Sequence, residues 1–165
     1  MTFSLSPQQL FAQLQNDVST CEKLLDLLGQ EQEALAERNI EVLDTIIEHK
    51  TQQLEVLEKS AQLRTDWTRQ SLGGATIDDS MIKERWQAII SSSEAPQISE
   101  QWEKLKVLQA KCKAANEVNG KILARNQKTF SRLLDIVRGQ HSTPNLYSAS
   151  GKSTGGHISH KVGEA

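Results

Sequence analysis

Apolar residues at Phe11, Leu14, Val18, Cys21, Leu25, Leu28 and Leu35 recur at intervals of three and four, and a polar Gln32 is the only break in the run. This spacing gathers them on one side of an α-helix, as a stripe that another helix must cover. A β-strand, with its period of two, would scatter the same side chains over both faces. Two later stretches repeat the pattern, which commits the chain to helices packed on helices.

Bulk properties agree. At 165 residues the chain is expected to form one domain with a core of its own. Only 4% of residues are aromatic while 37% are apolar and 24% charged, a balance that suits a narrow helical core better than a sandwich or an α/β enzyme. Because the apolar residues are periodic, the chain as a whole is not of the disordered class.

Local signals place the helices. Ser6-Pro7 is a start signal: serine caps orphan N–H groups, and proline fits the first helical position at no hydrogen-bond cost. The spacing predicts a first helix over 7–37, with Gly29 inside it, and a tight connection at Arg38-Asn39. A second helix is predicted over 40–71, with Leu43, Ile46, Ile47, Leu54, Leu57 and Ala61 on its apolar face. Lys50 and Arg64 fall on that same face, so each must reach the rim or meet a carboxylate of the facing helix. Leu72-Gly73-Gly74 ends the helix. Asp78, Asp79 and Ser80 begin a short helical segment through Met81, Ile82, Trp86, Ile89 and Ile90, fading in Ser91 to Ser93.

Pro96 opens the longest helix, predicted over 97–138 with Gly139 as its C-cap. One stripe runs Ile98, Trp102, Leu105, Leu108, Cys112, Ala115, Asn119, Ile122, Asn126, Thr129, Leu133, Ile136. Beyond Ile122 a second joins it: Leu123, Phe130, Leu134 and Val137. Two adjoining stripes require more than one neighbour, or a partner molecule. The fold expected is therefore all-α: an elongated, coiled-coil-like antiparallel bundle of three long helices and one short, over 1–139. Residues 140–165 are rich in Ser, Thr, Gly, His and Asn and are expected to be a flexible C-terminal tail, with Leu146-Tyr147 its only apolar cluster. Tyr147, the one tyrosine, is either incidental or a short docking motif. Gln32, Asn119 and Asn126, the amides of the seams, would penalise wrong registers if buried.

Residues 1–60 carry eleven Asp or Glu against four Lys or Arg, and 61–165 carry ten against fifteen. The basic excess lies between Lys104 and Arg138. A basic helix lying along acidic ones accounts for it, and the interleaved aromatics or Gly-rich basic arm of a nucleic-acid binder are missing. Cys21 and Cys112 stand on apolar positions, as small reduced core residues. Met1 to Ser6 has neither a basic nor an apolar signal region, and no stretch has the length of a membrane span, so a cytoplasmic protein is expected. Three residues before His49, His141, His157 and His160 stand Ile46, Arg138, Thr154 and His157, so the carboxylate–histidine pairs of bundle oxidases do not occur. A phosphate-binding glycine loop and a nucleophile elbow are also missing. The expectation is a non-enzyme without catalytic residues, metal or cofactor.

Glu33-Ala34-Leu35, Asn39, Leu43, then Lys50, Leu54, Leu57 and Arg64, then Asn116, Asn119-Gly120, Leu133-Leu134, Tyr147 and Gly151 occur in an order that resembles the FlgN family of flagellar export chaperones. Asn39 departs from an acidic residue often found there, and Ile122-Leu123 from the usual Leu-Ile order. The resemblance implies a cytoplasmic chaperone of type III export, with no cofactor and no catalysis. Its partners would be hook-associated proteins of the hook–filament junction and components of the export gate and ATPase complex. Leu123, Phe130, Leu134 and Val137 would line the substrate-protein surface, or else pack on the chain's own helices, and Tyr147 would dock to the export machinery. A coiled-coil adaptor that homodimerises through the same seams is the alternative.

Overall fold

Four helices follow one another in the computed structural model, which describes residues 6–74, 76–92 and 95–138. They are α1 (Pro7–Glu37), α2 (Ile40–Leu72), α3 (Asp79–Ser92) and α4 (Pro96–Val137), with no strand among the described residues. The expected C-cap Gly139, the tail 140–165 and the histidines within it lie outside the described residues.

Each boundary has a local cause. Ser6 Oγ accepts from the Gln9 N–H at 3.2 Å and Gln9 Oε1 accepts from the Ser6 N–H at 2.9 Å, a reciprocal cap on α1 with Pro7 in its first turn. Arg38, at φ 56°, takes the left-handed conformation that stops α1. Asn39 Oδ1 then accepts from the Val42 N–H at 3.3 Å and starts α2. Gly73, at φ 61°, ends α2, and Asp78 Oδ1 accepts from the Met81 N–H at 2.8 Å at the head of α3.

The chain divides between Ala124 and Arg125 into two units. In the first, α2 runs antiparallel to α1, with Asp17 beside Arg64 and Glu31 beside Lys50. It is antiparallel to α4 as well, with Arg64 beside Trp102 and Lys50 beside Asn116. Leu10, Leu14, Val18 and Cys21 of α1, Ile90 of α3 and Ile98, Leu105 and Leu108 of α4 form the main core. Leu24, Leu28 and Cys112 form a second cluster. Each fully buried leucine there contributes about 1.5–3 kcal/mol.

The short helix α3, whose packing the sequence leaves open, is tied in by three tryptophans. Trp86 meets Trp67 of α2 and Trp102 of α4 edge to face, at 6.2 and 5.1 Å between ring centres. Arg64 lies 5.9 Å over the Trp102 ring. Arg64 and Asp17 are both buried, joined directly and through Ser60, whose hydroxyl donates to Asp17 Oδ2 at 2.8 Å and accepts from Arg64 Nη1 at 3.0 Å.

One expectation needs correction. Of the predicted apolar face of α2, only Ile46 is buried; Leu43 and Leu57 are half-buried, and Ile47, Leu54 and Ala61 are exposed. The buried side of α2 is largely polar instead, built from Ser60, Arg64 and Thr68. The apolar stripe is there, but no helix of the described residues covers its outer half.

Candidate protein-binding surfaces

Two surfaces offer apolar area to a partner. The first is the end of α4. Helical geometry brings residues three, four and seven apart onto one side, so Phe130, Leu133, Leu134 and Val137 share a face. Their exposures are 64%, 52%, 36% and 83% of full accessibility, and Ile136 beside them is at 61%. Three of the four expected binding residues, Phe130, Leu134 and Val137, belong to this second unit. Leu123, at 46%, is an exposed side chain of the first. Leu133 and Ile136 belong to the first α4 stripe of the sequence, and their exposure widens the apolar surface beyond the predicted set.

The second place lies within the first unit, a groove of about 630 Å³ between α1, α2 and α4. Leu24, Leu28, Leu54, Leu57 and Cys112 supply its apolar lining, and Lys50, Glu58, Lys113 and Asn116 its polar lining. A polar cluster adjoins it. Lys50 Nζ donates to Glu31 Oε2 at 2.8 Å and to Asn116 Oδ1 at 3.4 Å. Asn119, whose burial the sequence leaves open, is buried and donates through Nδ2 to the Leu28 carbonyl at 2.9 Å and to Glu31 Oε2 at 2.8 Å. Lys50, Asn116 and Asn119, picked out separately in the sequence, thus meet around one carboxylate and bind α1, α2 and α4 together. Gln32, by contrast, is exposed, and Asn126 is half-buried.

Cys21 and Cys112 are free and buried, and the Cys112 thiol lies 3.6 Å from the Cys21 carbonyl. Burial, then the neighbouring Cys112 and Asp17, push the Cys21 thiol up to about 11, against a smaller lowering by Arg64; burial also raises Cys112. Both are inert thiols at neutral pH. Among the described residues no group of three or more His, Cys, Asp or Glu is placed to hold a metal ion, and no helix is long and apolar enough to cross a membrane. Tyr147 lies outside the described residues.

What these surfaces offer is apolar contact area for another polypeptide. Compared with known families, residues 1–155 match the FlgN protein family. The chain belongs to the FlgN family. No curated protein and no solved structure gives a match. Membership of the FlgN family supports a general role as a flagellar export chaperone, and the all-α fold is the one the resemblance implied.

Proposed function

We propose that this chain is a cytoplasmic export chaperone for hook-associated proteins of the hook–filament junction, which it keeps from aggregating and delivers to the flagellar type III export apparatus. The observation that supports this reading is the apolar end of α4, where Phe130, Leu133 and Val137 stand more than half exposed. A solvated face of this kind suits an amphipathic client segment laid against it, with anchors at three- and four-residue spacing. The client surface consists of Phe130, Leu134 and Val137, with Leu123 an additional contact. Catalysis has no part in this role, and neither does a cofactor.

Pull-down of a hook-associated protein tests the assignment. A Phe130→Glu, Leu134→Glu variant that stays helical and monodisperse should lose the client; undiminished capture rejects the surface. Tyr147 is assigned to docking at the export gate or ATPase complex. Tyr147→Ala should then impair delivery while client binding persists, and loss of both together, or of neither, rejects that role.

A further inference from the structure

α3 is 14 residues long, whereas the helices it packs between, α2 and α4, have 33 and 42. It lies parallel to α2, with Asp79, Ile82 and Trp86 beside Ala61, Arg64 and Thr68, and it fills the furrow between α2 and α4 only along its own length. Ahead of its first turn the furrow continues: Ala61 and Gln109 border both the seat of α3 and the 630 Å³ groove. The first unit is thus a four-helix bundle at one end and a three-helix bundle with an empty fourth position at the other.

The empty position keeps the chemistry of a helix seat. On α2, Ile40, Ile47, Leu54 and Ala61 follow at steps of seven, and all four are exposed, as one edge of a coiled-coil seam without its partner. Leu57, Leu24, Leu28 and Cys112 form the floor. The rims carry opposite charges, Glu58 on α2 and Lys113 on α4. No ion pair of either is found among the described residues, so both charges are available to an occupant.

We propose that this groove receives an amphipathic helix of a partner protein, in line with α3. Its aliphatic stripe lies over Leu54 and Leu57, a basic flank faces Glu58 and an acidic flank faces Lys113. From Lys50 to Ala61 the groove follows α2 for about 16 Å, which three turns of helix span. Two features favour a separate helix: continuity with the seat α3 already occupies, and the opposed charges of the rims. A second copy laid parallel would oppose Glu48, Glu55 and Glu58 to the same carboxylates, and a copy laid antiparallel is an outcome that the test resolves. The inference concerns the first unit alone and does not depend on the client surface of α4.

The test uses the full chain and a fluorescent peptide of about 14 residues, the length of α3. The peptide has four leucines spaced three and four apart, glutamates along one flank, lysines along the other, and alanine elsewhere. Saturable binding is expected. Leu54→Lys, at a half-exposed position the fold does not need, should weaken it by about tenfold or more. Glu58→Lys and Lys113→Glu should each weaken it about threefold at low salt and less at high salt. Phe130→Glu should leave it unchanged. No saturable binding, or equal affinity for Leu54→Lys, overturns the proposal. So does binding lost with Phe130→Glu. A dimer in light scattering that Leu54→Lys dissolves would assign the groove to a second copy, and overturns the partner reading as well.

Discussion

Arg64→Met removes the cation from a carboxylate that has nowhere else to turn. Asp17 is fully buried; its Oδ2 keeps only the Ser60 hydroxyl, and Oδ1 has no hydrogen-bond partner among the described residues. Breaking a buried pair in this way costs about 3–5 kcal/mol. Asp17→Leu should cost less, about 2–3 kcal/mol, since Arg64 retains Ser60 and the face of Trp102. The double variant Asp17→Leu, Arg64→Met leaves no charge to strand and should lie within about 1 kcal/mol of the wild type. Urea denaturation followed by circular dichroism, with a common slope for all variants, measures each value. Losses of Arg64→Met and Asp17→Leu that simply add in the double variant, within about 0.5 kcal/mol, would refute the reasoning.

Other outcomes follow from single sites. A Cβ added at Gly29 meets nothing within 4 Å, so Gly29→Ala should stabilise α1 by about 0.5–1 kcal/mol, seen as a raised melting temperature. The Cys21 thiol, raised from 9.0 to about 11, contributes stability that is present below the unfolded value and is lost as pH rises from 9 toward 11. Stability should fall across that window by at most about 3 kcal/mol, and part of the fall should vanish in Cys21→Ala when the two are compared by urea titration at each pH.

Much of the fold is legible because helix ends are decided locally. Ser6-Pro7 and Arg38-Asn39 contain their own stop and start chemistry, and α1 spans the predicted 7–37 without adjustment. The sequence shows the outer half of the α2 stripe as apolar, and the structure leaves it exposed. Periodicity tells which residues share a face, whereas cover depends on the length of the neighbour, and α3 is too short. Leu133 and Ile136 are exposed although Leu105 and Leu108 of the same stripe are buried, a difference that periodicity does not reveal. Tyr147 left no such signal, since a single aromatic has no periodicity.

The seam of α1 is the sharper lesson. The apolar residues Phe11, Leu14, Val18, Cys21, Leu25, Leu28 and Leu35 define a seam broken at Gln32, but Phe11 and Leu25 are half-buried and Gln32 is exposed. The covered line is Leu10, Leu14, Asp17, Cys21, Leu24, Leu28, Glu31 and Leu35, a strict alternation of four and three that passes through two carboxylates. Each carboxylate meets a cation of α2: Asp17 with Arg64, Glu31 with Lys50. The two acids are fourteen residues apart, and so are the two bases, in the opposite direction, as an antiparallel pair in one register demands. Sliding α2 by seven residues keeps the same face of α2 toward α1 but sets Asp17 against Leu57 and Glu31 against Leu43, or Asp17 against Ser71 and Glu31 against Leu57. Either slip strands carboxylates at a cost of several kcal/mol, where an all-leucine seam would oppose it little. Replacing all four charges, Asp17→Leu, Glu31→Leu, Lys50→Leu and Arg64→Met, should therefore preserve helicity and stability yet lose the single register. Amide nitrogen–proton spectra would then show more than one set of peaks for α1 and α2. One sharp set from the fourfold variant would mean that the capped turn at Arg38-Asn39 holds the register alone.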